Sequence, residues 1–210
     1  MATTKPALYI VGAGGHAKVV ADCAERLGYT DVRLLDDKYP EIKICGRWPV
    51  IGDSSQIESL GGQAAHFFVA IGNNAIRQRV SATITDAGGQ LVTLVHPSAV
   101  IGCDVIIGDG TLILANVVVN AFSSIGKGCI LNTACSVDHD GAIADFVHLA
   151  PGTRLAGEVT VGERTFIGIG SAVIQQIQIG ADVTVGAGSA VINHIEASSV
   201  VMGSPARSKK

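Results

Sequence analysis

The chain has 210 residues with 15 basic and 18 acidic side chains, 26 glycines and 6 prolines, but only one tryptophan, three tyrosines and five phenylalanines. Glycine stands well above the ~7% usual in globular chains, and Ile, Leu and Val are abundant enough to form a core, which excludes a disordered chain. No run reaches the roughly 18 to 20 apolar residues of a membrane span, and no block is basic enough for a nucleic-acid surface. The five cysteines lack CxxC spacing, so neither a disulfide framework nor a metal site is expected. Ala7 to Val11 is too short an apolar run for a secretory signal, and the expected location is the cytoplasm.

In chain order, Leu8 to Val11 reads as a short strand running into Gly12-Ala13-Gly14-Gly15-His16-Ala17. Val19 to Leu27 has helical periodicity ending at Gly28, and Val32 to Leu35 is a second strand closing on Asp36-Asp37. Residues Lys38 to Gln63, with Trp48, Pro49 and Gly52, read as a long loop. Phe67 to Ile71 is a third strand closing on Gly72-Asn73-Asn74, Ile76 to Ala87 suits a helix ended by Gly88-Gly89, and Leu91 to Val95 is a last strand. Alternating strands and helices predict a small parallel, Rossmann-like α/β domain over residues 1–94.

Gly12, Gly14 and Ala17 match G-x-G-x-x-(G/A), with Asp36 about twenty residues on, a spacing that suits a dinucleotide. One mononucleotide-sized half is present, which instead suits a diphosphate at a helix N-terminus with Asp36 or Asp37 on a ribose or base. A tight strand-to-helix turn without ligand is the bland alternative. His16 and Lys18 would lie beside the loop, and Gly72 and Asn73 would end a neighbouring strand at the same carboxyl edge.

From Val95 to Val191 an Ile, Leu or Val recurs every sixth residue without a break. Small residues often follow it, and Thr, Ser, Val or Cys tends to fill the fifth position. Such hexads predict a parallel β-helix, three hexads per triangular coil with the aliphatic residue inside, over residues 95–196. Residues 197–210 then form a tail carrying Arg207, Lys209 and Lys210 and no acid, which suits cofactor phosphates or a frayed end. One hexad departs from the pattern: Asp138-His139-Asp140 puts an imidazole between carboxylates in a segment poor in charge. A carboxylate on one ring nitrogen fixes the tautomer and raises the basicity of the other, as a general base requires. Asn132 lies one repeat upstream and His148 nine residues downstream. A solvated polar turn is the alternative.

Together the Gly-Ala-Gly-Gly-His loop, the strand ending Asp36-Asp37, the Ile-Gly-Asn-Asn-Ala-Ile-Arg stretch from Ile71 to Arg77, and hexads holding Asp138-His139-Asp140 and His148 resemble the bacterial nucleotide-sugar acetyltransferases. That family includes sialic acid O-acetyltransferases and the N-acetyltransferases that complete bacillosamine and N-acetylperosamine. The resemblance implies a left-handed β-helix, acetyl-CoA as co-substrate, a homotrimer and glycan biosynthesis. It implies that His139 is the base and Asp140 its partner, with Asp138 and Asn132 beside them. His148, the Gly157 amide, Ile169 and Ala187 would meet the cofactor. Gly14, Gly15, His16, Asp36, Asp37, Gly72 and Asn73 would hold the nucleotide-sugar. The expected reaction is N-acetylation of the 4-amino group of a UDP- or GDP-linked 4-amino-4,6-dideoxy sugar; O-acetylation of sialic acid is the alternative. Aspartates stand here where the bacillosamine enzymes would carry glutamates around the histidine.

Overall fold

The computed structural model describes residues 5–63 and 65–209, so Lys210 of the basic tail lies outside the described residues. Compact packing divides the chain between Pro97 and Ser98 into two units.

The first unit runs β1 (Leu8–Val11), α1 (Gly15–Arg26), β2 (Val32–Leu35), β3 (Ile44–Cys45), β4 (Trp48–Gly52), α2 (Gln56–Gly61), β5 (His66–Val69), α3 (Asn74–Asp86), β6 (Gln90–Leu91) and β7 (Leu94–Val95). Its sheet has the order β3-β4-β2-β1-β5-β6, parallel apart from β3 against β4. The two neighbours of β1 leave in opposite directions, so its carboxyl end is the point where an open α/β sheet forms a crevice. Tyr9, Val11, Leu35, Phe67 and Val69 of the strands close the core with Ile57 of α2 and Ile84 of α3. Burying this many large apolar side chains, at about 1.5 to 3 kcal/mol each, is what holds such short strands together.

Three sequence expectations need correction here. The stretch Lys38 to Gln63 holds β3, β4 and α2 rather than a loop. Gly46 turns the β3-β4 hairpin with φ +66, and a register shift between Leu34 and Leu35 admits β4 beside β2. The segment reads as irregular because β3 is only two residues long and β4 carries Pro49 and Gly52, residues that ordinarily punctuate turns. Helix α1 begins at Gly15, not Val19, because Gly14 is its N-cap and glycines in the first turn carry no apolar signal. Leu91 to Val95 is broken into β6 and β7 around Val92-Thr93.

The second unit is a left-handed parallel β-helix. Two-residue strands pair in register with the strand 18 residues on, as Ile130 with His148 and Ser136 with Arg154, so three hexads make one coil. From Ile113 to Val191 every member of the aliphatic series is buried, while Ile101 and Ile107 on the first coil are half-buried. Every sixth residue from Asp104 to Gly188 has φ between 55 and 70°, the left-handed turn of each corner, whether glycine or not. Four hydroxyls at the fifth hexad position share one bonding pattern. Thr111, Ser123, Thr165 and Ser171 are buried, donate to a carbonyl, and accept the N–H of the residue one coil on. A hydroxyl carries both donor and acceptor, so it closes the backbone inventory inside the coil. Residues Val200–Met202 and Arg207–Ser208 form an antiparallel pair that extends one sheet, so the described part of the tail is folded onto the last coil. Among the described residues, no helix is long and apolar enough to cross a membrane.

Candidate active site

At the carboxyl edge of the first unit's sheet, Gly12 has φ +108, and a Cβ there would meet the Ala70 carbonyl oxygen at 3.1 Å. The turn therefore requires glycine. Asp36 ties the loop down: Oδ2 accepts from Ala13 N–H at 2.7 Å and Oδ1 from Lys38 N–H at 3.0 Å. Asp37 is exposed, with Oδ1 accepting from Ser54 N–H at 3.1 Å. A cleft of about 440 Å³ opens beside them, lined by Gly12, Asp36, Asp37, Lys38, Ser54 and Arg79 among others.

Of the seven residues expected to hold the nucleotide-sugar, Asp36 and Asp37 line this cleft. Gly14 and Gly15 are exposed at the start of α1, and a Cβ on either would meet nothing within 4 Å. Gly72 is exposed, and Asn73 caps α3 by accepting Ile76 N–H at 3.0 Å. Lys38, Ser54 and Arg79 carry no site signal in the sequence, the first two lying in a stretch that reads as a loop. Arg77, which the sequence offers only as the end of the Ile71 to Arg77 stretch, is 1% exposed and donates to the carbonyls of Ile71 and Gly72 and to Asn74 Oδ1. Burial, then the Arg77 charge, push His16 down to about 4, so its imidazole is neutral at physiological pH.

In the β-helix, His139 follows the strand Ser136–Val137 at a corner. Its Nδ1 lies 2.8 Å from Asp140 Oδ2. A carboxylate only accepts, so Nδ1 carries the proton and Nε2 presents its lone pair. The Asp140 hydrogen bond, opposed by some desolvation and helped by the charges of Asp138, Asp140 and Glu158, raises the His139 pKa above the ordinary value. Asp138 Oδ1 accepts from Asn120 Nδ2 at 2.7 Å and from His139 N–H at 2.9 Å. Those hydrogen bonds, Asn120 foremost, lower the Asp138 pKa and keep it ionised. Gly157 sits one coil on from His139; a Cβ there would lie 2.5 Å from Nε2. Glycine is what leaves room for the ring.

His148 belongs to another face. It lies on the strand His148–Leu149, edge-on to Phe166 with ring centroids 5.2 Å apart. Asn132 Nδ2 approaches His148 Nε2 at 3.3 Å, while Asn132 Oδ1 accepts Thr133 N–H at 2.8 Å. The Thr133 bond orients the amide, so Nδ2 donates and Nε2 accepts. Asn132 is thus joined to His148 rather than to the Asp-His-Asp corner. Ile169 and Ala187 are exposed and stack one coil apart at a third position, where Gly188 N–H donates to the Ile169 carbonyl at 2.8 Å. Among the described residues no group of three or more His, Cys, Asp or Glu could hold a metal ion.

Comparison with known proteins places this geometry in context. Residues 7–84 match the family model "PglD N-terminal domain". The chain is 38% identical over 111 residues to UDP-N-acetylbacillosamine N-acetyltransferase of Bacillus subtilis, an alignment covering 50% of each. The chain thus matches about half the length of its curated relatives. Among solved structures, a mutant of perosamine N-acetyltransferase from Caulobacter crescentus in complex with CoA and GDP-perosamine is 39% identical. It aligns over 97% of both chains with a TM-score of 0.93. The acetyltransferase domain of PglB from Neisseria gonorrhoeae in complex with acetyl coenzyme A is 38% identical, over 98% of this chain and 100% of that one, with a TM-score of 0.94.

Proposed function

Because the chain belongs to the nucleotide-sugar acetyltransferases built from a Rossmann-like domain and a left-handed β-helix, we propose that it N-acetylates the 4-amino group of a UDP- or GDP-linked 4-amino-4,6-dideoxy sugar from acetyl-CoA. The observation that carries the chemistry is the Nδ1–H of His139 held at 2.8 Å by Asp140, with Nε2 turned towards Gly157.

In this reading the amine nitrogen attacks the thioester carbonyl carbon while His139 Nε2 takes its proton, and the thiolate of CoA leaves and receives that proton. Asp140 stabilises the imidazolium formed on the way. Amide donors such as that of Gly157 would face the developing oxyanion. An acyl-enzyme on Cys135 or Cys23 is disfavoured, because burial pushes their thiols up to about 12 and about 11 and neither supplies a thiolate; direct transfer is the reading here. The glycine-rich edge of the first unit takes the nucleotide, with Asp37, Lys38, Ser54 and Arg79 around it.

His148, Ile169 and Ala187 are read as cofactor contacts, and the assembly as a homotrimer. Both come from the family resemblance, and the spacing of the two histidines agrees with a shared site. His139 and His148 are nine residues apart on an 18-residue coil, so they face different sides of one solenoid. They serve one reaction only if a second copy brings its own face opposite.

The test is CoA-thiol release with a panel of UDP- and GDP-linked 4-amino-6-deoxy sugars, followed by mass spectrometry. One acetyl group gained on an amino sugar, lost by at least about 100-fold in His139→Ala, is the expected result. Near-normal turnover in that variant would sink the mechanism, and acetylation of sialic acid alone would favour O-acetylation instead.

A further inference from the structure

Three carboxylates act on the His139 corner, and two of them bond to the histidine itself. Asp140 holds Nδ1–H, and Asp138 holds the Asn120 amide and the His139 N–H. The third is Glu158, one coil on from Asp140. Its N–H donates to the His139 carbonyl at 2.9 Å, which fixes its Cα directly over the histidine's own segment. It follows Gly157, the residue over which Nε2 lies. Asp140, Glu158 and Gln176 all occupy the left-handed corner position, with φ of 56, 59 and 62°. Their side chains therefore leave the coil in the same direction. Gln176 Nε2 approaches both Glu158 oxygens at 3.3 and 3.4 Å, a loose tether on an exposed group.

Resting on the reading of His139 as the base for an amine acceptor, we propose that Glu158 selects a cationic amino group over a hydroxyl at the acceptor position. A sugar amine arrives largely as an ammonium. Its N–H donors meet the neutral Nε2 on one side and the Glu158 carboxylate on the other, a charge-assisted contact. One proton is released to bulk water to give R–NH2. Glu158 retains a remaining N–H, and the nitrogen lone pair attacks while Nε2 takes the second proton. A hydroxyl offers a single donor and no charge, so it gains less from the same carboxylate. Glu158 has no signal in the linear sequence, because only the coil register brings it over the His139 segment.

The test uses the full chain and Glu158→Gln, which preserves shape and the Gln176 neighbour. Calorimetric dissociation constants are measured for UDP- and GDP-linked 4-amino-4,6-dideoxy sugars and for their 4-hydroxy counterparts, alongside KM for the amino sugar and for acetyl-CoA. The wild type is expected to prefer the amine by about fivefold and the variant by less than about twofold, in line with one charged hydrogen bond at an exposed site. The amino-sugar KM rises in proportion and the acetyl-CoA KM stays put, a split that a merely structural role would not produce. An undiminished preference in the variant, or no preference in the wild type, overturns the assignment. Failure of the acetyl-transfer reading looks different: no CoA thiol released by the wild type with any amino sugar, whatever the binding ratio.

Discussion

His139, Asp140 and Gly157 form a unit in which each member has a separate physical task. Asp140→Asn would remove the main cause of the raised His139 pKa. A base acts when deprotonated, so activity rises with pH through that pKa. The acid limb of the kcat/KM profile should therefore move to lower pH in the variant, while the plateau falls by roughly 10- to 100-fold as the tautomer is no longer fixed. An unmoved acid limb would contradict the assignment. Gly157→Ala tests the space beside Nε2. The added Cβ falls 2.5 Å from a side-chain tip that can rotate away, so the expected outcome is a native melting temperature with turnover reduced by at least about tenfold. Coupled loss of fold and activity would point to backbone damage instead.

At the scale of elements, α1 and the β5-α3 connection meet around a neutral histidine and a buried cation. His16 lies in the first turn of α1, where burial and then the Arg77 charge disfavour its protonated form. Its pKa falls from 6.5 to about 4 on folding. The unfolded chain thus binds a proton below about pH 6.5 that the folded chain refuses until about pH 4. The contribution is fully present above 6.5, and stability is lost as pH falls through that window. Urea midpoints should drop between about pH 7 and pH 4.5 by more in the native chain than in His16→Gln, whose side chain does not titrate. Equal drops would remove His16 from the account. The same region shows what a motif leaves out. The stretch from Ile71 to Arg77 was recognisable as a string, yet its final arginine proves to be the fully buried clamp on the Ile71 and Gly72 carbonyls.

For the whole molecule, the split of His139 and His148 between faces is the reason to expect association. Light scattering should give three times the 21.5 kDa chain mass for the active species. Mixing inactive His139→Ala with inactive His148→Ala chains should restore part of the activity, because some mixed interfaces join two intact histidines. A fully active monomer, or mixtures that stay dead, would refute a site shared between copies.

The unbroken hexads, the alternating α/β pattern before them and the Asp-His-Asp corner were legible in the linear sequence. Each of these is a local periodicity or a contact between chain neighbours, and burial of one aliphatic residue in six leaves a trace that needs no long-range information. Tertiary structure decided the rest. It turned the stretch Lys38 to Gln63 into strands and a helix, and drew Lys38, Ser54 and Arg79 to one cleft. It joined Asn132 to His148 instead of His139, and stacked Gly157 and Glu158 over the base. Those relations depend on coil register and sheet order, which bring together residues 16 to 40 or more positions apart, and no nearest-neighbour pattern records such closures.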